Sequence, residues 1–282
     1  MAEPRALYLR CAGFEVHALE WGRADAPPVL MWHGLARNAH DFDVLARLLA
    51  DEYRIIAVDQ IGRGFSEWSC TPDADYCLAR YVEIAEALAD GLGLKRFHWV
   101  GTSMGGATGI RAASGRLKGR IASLLINDIG PTLPAPAVAR IRAYVGKPPV
   151  FDGITGLETF MREAYRPFGP HSDAQWRAMA ENLMRRLPDG RVTTHYDPAI
   201  VRQFEAHPVD YEQWEAYDSI AAPVMVLHGI ESDLLLPDIA VAMAQRGPRA
   251  EIVEIAGCGH APGLNTVPQS EIVRKFIEKT SL

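Results

Sequence analysis

No stretch of the 282-residue chain approaches 18 consecutive apolar residues, which argues against a transmembrane helix. The opening segment, Met1 to Gly22, alternates apolar and polar residues and carries Glu3, Arg5 and Arg10; it lacks the apolar core of a signal peptide. Basic residues are in the minority, with 29 Lys and Arg against 35 Asp and Glu and a formal net charge of −6. Gripping a phosphate backbone requires a basic face, so neither a nucleic acid nor an anionic membrane surface is an expected partner. The four cysteines, Cys11, Cys70, Cys77 and Cys258, form no CxxC pair. They read as free thiols of a cytoplasmic protein, and no Cys/His clustering along the sequence marks a metal site. Internal repeats and low-complexity tracts are also missing.

What is present is ordinary globular composition, 48% hydrophobic and 23% charged residues. A chain of this size buries about 73% of its unfolded surface, enough for one large core. Short apolar runs bounded by Gly, Asp or Pro fall at Pro28–Trp32, Arg54–Val58, Phe97–Val100, Ile121–Ile126, Pro223–Leu227 and Glu251–Ile255, and Phe14–Glu20 alternates like a half-exposed strand. These suit buried strands. Between them, Tyr81, Ile84, Ala85, Leu88, Ala89 and Leu92 recur with helical spacing, Met104–Ser114 is a small-residue helix, and Val267–Lys279 carries a third apolar stripe. Alternation of strands and helices predicts an α/β protein with a mostly parallel sheet covered on both faces. The alternation stops after Asn127 and resumes at Pro223. Between them Ser172–Gln175 reads as a capping box opening a helix with Trp176, Met179, Ala180, Leu183, Met184 and Leu187 on one face. The organisation expected is a core of residues 1–130 and 218–282 interrupted by a helical cap at 131–217, acting as a lid.

Gly101-Thr-Ser103-Met-Gly105 joins the strand Phe97–Val100 to the small-residue helix. A serine on so sharp a turn has a strained backbone, needs small neighbours two residues to either side, and aims its Oγ at the helix N-terminus. Ser103 is therefore the candidate nucleophile. Its base is expected to be His260, in the loop after Glu251–Ile255, at the sheet edge where sites form in open α/β sheets; His33 is a weaker alternative. The carboxylate that holds the imidazole's tautomer is assigned to Asp233, just past Pro223–Leu227, with Asp128, just past Ile121–Ile126, as the alternative acid. The oxyanion formed on attack needs two fixed donors, read as the backbone N–H groups of Met104 and of Leu35 in the loop His33-Gly34-Leu35.

Together these residues resemble the α/β-hydrolase family. The motifs are His33-Gly34, the turn Asp59-Gln-Ile-Gly-Arg-Gly-Phe-Ser66, the elbow Gly101–Gly105, Asp233 followed by Pro237, and Gly259-His260. The resemblance implies an eight-stranded sheet with the cap inserted after strand six, a serine-hydrolase triad, and neither a metal nor an organic cofactor. It implies a loop-shaping role for Asp59, Gly62 and Gly64. Relatives that are dehalogenases or epoxide hydrolases carry Asp where this chain has Ser103.

Substrate contacts are expected from the cap's large side chains, with Phe160, Tyr165, Trp176 and Trp214 as candidates, and from Arg37, which follows the His33-Gly34 loop and is the one candidate carboxylate clamp. No cation is placed by motif beside Ser103, so the favoured substrate is a small, neutral, moderately apolar carboxylic ester, a hydroxyalkanoate or polyester oligomer being one form. The enzyme is expected to act as a monomer or homodimer. Rival readings are a C–C hydrolase of ring-cleavage diketones, a lactonase or cofactor-free peroxidase, and, outside enzymes, a ligand-binding receptor on the same fold.

Overall fold

A computed structural model describes residues 3–280. Along the chain it places β1 (Arg5–Cys11), β2 (Phe14–Trp21), β3 (Pro28–Trp32), β4 (Arg54–Val58), β5 (Phe97–Thr102) and β6 (Ile121–Asn127). After them come three short strands, β7 (Val150–Phe151), β8 (Met184–Arg186) and β9 (Val192–Thr194), and then β10 (Val224–Gly229) and β11 (Glu251–Ile255). Eight strands form one sheet in the order β1-β2-β4-β3-β5-β6-β10-β11. The pairings β1–β2 and β2–β4 are antiparallel and the rest parallel. This is the mostly parallel sheet that the alternation of strands and helices predicts, with the eight strands that the family resemblance implies.

Position in the sheet explains the sequence of each strand. The seven residues of β6 are all buried, as are the last four of β3 and β4, because helices cover both faces; such strands read as unbroken apolar runs. Alternate residues face opposite cores. Leu30, Trp32, Ile56 and Val58 pack with the helices Leu78–Gly91 and Met104–Ser114. Val29, Met31, Ile55 and Ala57 pack with Asp43–Leu49 and Val267–Glu278. The outer strands β1 and β11 are partly exposed and correspondingly polar. On the first face Trp32 stacks on Trp99 with ring centroids 5.0 Å apart, and Trp99 Nε1–H donates to the carbonyl of Gly105 at 3.0 Å. That bond ties the sheet to the first turn of the helix that follows the nucleophile elbow. Truncating Trp99 to Ala would remove about 3–5 kcal/mol.

The segment between β6 and β10 carries the helices Ala135–Val145, Ile154–Ala164 and Asp173–Leu183. It is not wholly helical, as the sequence suggested: β7, β9 and β8 form a three-stranded antiparallel sheet. Strands of two or three residues are too short to show a period. The capping box is formed, with Gln175 N–H donating to Ser172 Oγ at 3.2 Å and Ser172 N–H to Gln175 Oε1 at 2.7 Å. Its helix ends at Leu183, sooner than the apolar stripe implied, because Met184 turns extended and pairs with Thr194. Polar contacts bind this segment to the sheet-bearing part: Asn38 Nδ2 donates to the Asn182 carbonyl at 2.8 Å, Tyr76 Oη to Asp197 at 2.6 Å, and Gly64 N–H to the His195 carbonyl at 3.1 Å. Among the described residues no helix is long and apolar enough to cross a membrane.

Candidate active site

The parallel strands β5, β6, β10 and β11 are neighbours in the sheet, so the loops at their C-terminal ends converge. Ser103 stands immediately after β5, at φ 53° and ψ −118°. A non-glycine residue there is strained, and the surroundings hold it. A Cβ on Gly101 would lie 2.3 Å from the Gly105 carbonyl oxygen, and one on Gly105 would lie 2.0 Å from that of Trp32. Small residues at both positions are therefore a steric requirement. Ser103 N–H donates to the Asn127 carbonyl at 2.9 Å, fixing the elbow against the end of β6.

His260 Nε2 lies 2.8 Å from Ser103 Oγ, and His260 Nδ1 lies 2.8 Å from Asp128 Oδ2. The imidazole is thus the centre of a continuous hydrogen-bonded chain from hydroxyl to carboxylate. The Asp128 side chain is fully buried. It also accepts from Gly229 N–H at 2.8 Å on Oδ1 and from the Ser232 hydroxyl at 2.6 Å on Oδ2.

Asp233, the acid preferred on sequence grounds, is not part of this chain. Its carboxylate is more than half exposed and pairs with Arg140 at 2.7 Å. The correction has a local cause. The loop after β10 supplies donors, Gly229 N–H and Ser232 Oγ, to a carboxylate that comes from the loop after β6. Asp128, at φ 57°, turns sharply off that strand into their reach. Chain order did not discriminate, since Asp128 and Asp233 both lie between Ser103 and His260.

The Met104 N–H opens the helix Met104–Ser114 and has no intrahelical acceptor. The His33-Gly34-Leu35 loop lies against Ser103: a Cβ on Gly34 would be 3.5 Å from Ser103 Cβ. His33 is a fixed part of that loop. Its Nδ1–H donates to the Gly34 carbonyl at 2.7 Å, and its Nε2 accepts from Gln60 N–H at 2.9 Å. Burial pushes its pKa down to about 4, in keeping with a neutral ring. Arg63 completes the support, its Nε donating to the Leu35 carbonyl at 2.8 Å. Asp59 shapes the adjoining turn, accepting from Ala39 N–H, Phe65 N–H and His17 Nδ1; a Cβ on Gly64 would lie 2.0 Å from its Oδ2. Burial opposes its charge, and these hydrogen bonds with His17 prevail, holding its pKa below the usual carboxylate range.

A cavity of about 270 Å³ opens between the segment Arg37–Arg47, the helix Asp173–Leu183 and the loop Ala261–Asn265, and Ser103, His260 and Asp128 are not among its lining residues. Thr102 and Ala261, the neighbours of Ser103 and His260 in sequence, form part of its wall, with Arg37, Asp41, His171 and Asn182. Of the cap aromatics proposed as substrate contacts, Tyr165 lies over the Arg37 guanidinium at 4.4 Å, and Trp176 stacks on His171 at 4.5 Å. Phe160 packs on Phe151 in a separate apolar cluster, and Trp214 packs on Tyr217 under Arg246; none of these four proposed side chains lines the cavity. His171, Asn182 and Asp41 share the wall of that cavity, and nothing but the tertiary fold brings them together.

Residues distant in sequence also form the one potential metal-ligand group found among the described residues. Ligand atoms of Cys77, His207 and Asp210 lie within 4.8 Å of one another, a clustering the sequence did not show. Each side chain already has a partner: Arg80 N–H on Cys77 Sγ, Leu78 N–H on Asp210 Oδ2, and the Asp73 carbonyl on His207 Nε2. The group caps the start of the helix Leu78–Gly91.

A strained serine on a strand-to-helix turn, paired through an imidazole to a buried carboxylate, defines a hydrolase of the nucleophile-elbow type. The sequence profile of the alpha/beta hydrolase family matches residues 29–274, and the chain belongs to that family. It is 34% identical to the 3-hydroxybutyrate-oligomer hydrolase of Cupriavidus necator, with 98% of each chain covered. It is 28% identical to the N-formylmaleamate deformylase of Pseudomonas putida, over 88% of this chain and 87% of the other. Among solved structures, an alpha/beta hydrolase from Novosphingobium aromaticivorans superimposes with a TM-score of 0.88 at 33% identity, covering 99% of this chain and 100% of its own.

Proposed function

We propose that this enzyme hydrolyses carboxylic esters through an acyl-enzyme on Ser103, and that its substrates are short hydroxyalkanoate oligomers of the 3-hydroxybutyrate type. The observation that carries the mechanism is the unbroken hydrogen-bond chain Ser103–His260–Asp128. His260 Nε2 takes the Ser103 proton as Oγ bonds to the acyl carbon, and Asp128 stabilises the resulting imidazolium. The Met104 and Leu35 N–H groups receive the oxyanion. Collapse breaks the acyl–oxygen bond, and His260 returns its proton to the departing alcohol. Water then gives a proton to His260 as its oxygen bonds to the acyl carbon; the acyl–Oγ bond breaks, His260 returns the proton to Ser103 Oγ, and the acid departs. The scheme calls on no metal or organic cofactor.

The substrate class is supported by the full-length similarity to the Cupriavidus necator oligomer hydrolase. Incubation with linear 3-hydroxybutyrate dimer and trimer should release 3-hydroxybutyrate, and Ser103→Ala should abolish that release. Turnover of a ring-cleavage dienoate at least tenfold faster than the dimer would replace this reading with C–C hydrolysis.

A further inference from the structure

Arg37 is 6% exposed. Its Nε and Nη2 grip Asp41, Nε at 3.0 and 3.1 Å from the two carboxylate oxygens and Nη2 at 2.5 Å from Oδ1. Its Nη1 is buried with no hydrogen-bond partner. A buried, unfilled guanidinium donor is unfavourable, and the pairing with Asp41 leaves it unmet. The position of this donor matters. A Cβ built on Gly34 would lie 3.5 Å from Ser103 Cβ and 3.6 Å from Arg37 Cγ, which places the stem of Arg37 within about 7 Å of the nucleophile's Cβ. The guanidinium lies beneath the rings of Tyr165, at 4.4 Å, and Phe168, at 5.3 Å. Both rings belong to the segment over the site and are half-buried. Arg37 also forms part of the wall of the 270 Å³ cavity that reaches Thr102 and Ala261.

We propose that Arg37 is the carboxylate-recognition residue of this site, and that its Nη1 takes the free terminal carboxylate of a short ester while Asp41 keeps Nε and Nη2. The inference rests on the ester-hydrolase reading above and narrows it. In a 3-hydroxybutyrate dimer the carboxylate carbon is four covalent bonds from the scissile carbonyl carbon, on the leaving-group side. With the scissile carbon on Ser103 Oγ, that carboxylate is the group Nη1 takes. A buried ionic group excludes neutral analogues more strongly than an apolar wall excludes a missing methylene, because the unmatched donor stays unpaired. The substrate selected is therefore an ester with a free carboxylate near the scissile bond. This replaces the neutral ester expected when no cation could be placed beside Ser103.

The test separates this claim from the substrate reading. Binding of 3-hydroxybutyrate and of its methyl ester to the Ser103→Ala enzyme is measured by thermal shift, with Arg37→Met and Arg37→Lys made in the same background. The acid should bind at least tenfold more tightly than the methyl ester, and both Arg37 substitutions should reduce that ratio to near one. Arg37→Lys retains a charge opposite Asp41 and carries the test if Arg37→Met does not fold. Equal binding of acid and ester by the Arg37 enzyme, or a preference that survives both substitutions, overturns the proposal. In parallel, the wild-type enzyme is given the dimer. Carboxylate binding through Arg37 without dimer turnover would sink the oligomer reading and leave the recognition site standing.

Discussion

Replacing Asp128 by Asn, set beside Asp233 by Asn, gives a sharp contrast. In Asp128→Asn, Oδ1 can still accept from Gly229 N–H, but an amide NH₂ now stands where Oδ2 met Ser232 Oγ and His260 Nδ1. The Ser232 hydroxyl can rotate to accept. The imidazole can accept only by moving its proton to Nε2, and that nitrogen then cannot take the Ser103 proton. Loss of tautomer control and of the charge facing the imidazolium should lower kcat about 10⁴-fold, about 5.5 kcal/mol in the barrier. Folding stability should fall by about 1–2 kcal/mol, the scale of one reorganised buried hydrogen bond. Asp233 and Arg140 are each about half exposed, 56% and 49%. Such a pair contributes less than about 1 kcal/mol, so Asp233→Asn should leave kcat within about twofold. The assay is steady-state release of 3-hydroxybutyrate from the linear dimer, with urea denaturation of each variant to separate catalysis from folding. A 10³-fold loss in Asp233→Asn with Asp128→Asn near wild type would refute the assignment.

Acid should destabilise the fold before carboxylates protonate. Burial depresses the pKa of both His33 and His98 to about 4, so between the unfolded value of about 6.5 and about 4 the unfolded chain binds more protons. Stability is complete above pH 6.5 and falls as pH drops, by up to about 3 kcal/mol per histidine. Urea melts at pH 7 and pH 4.5 check the sign, and His98→Asn should flatten the slope; a stability that is level or rises towards pH 4.5 contradicts it. Gly105→Ala, whose Cβ would meet the Trp32 carbonyl oxygen at 2.0 Å, should displace the Met104 N–H and lose at least about 10²-fold in kcat. Gly153→Ala, with open space around its Cβ and an extended backbone at φ −166°, should be nearly silent in the same assay.

The central sheet was legible because doubly covered strands are continuous apolar runs, and the elbow because its glycines answer a steric demand visible in one pentapeptide. His260 could be placed because a strand end and a short loop fix its position. The acid could not. Choosing between Asp128 and Asp233 depends on which loop supplies donors and which supplies the carboxylate, and both aspartates sit just past a strand on the same sheet edge. Strand β1 was hidden in an alternating terminal segment whose edge position leaves it half polar. The strands β7 to β9, between β6 and β10, were hidden by their length. Arg37 could be named as a candidate from its place after the His33-Gly34 loop. Its proximity to Ser103 and its unfilled donor depend on the path of that loop and on a cap segment more than 120 residues away in sequence.

The central claim is that Ser103 is the nucleophile activated by His260, and active-site labelling tests it most directly. The native enzyme is treated with a fluorophosphonate and the adduct is located by peptide mass spectrometry. One adduct on the peptide containing Ser103 is expected, with simultaneous loss of ester hydrolysis, together with no labelling of Ser103→Ala and greatly slowed labelling of His260→Ala. Stoichiometric labelling at another serine, or ester hydrolysis that persists undiminished in Ser103→Ala, would contradict the account.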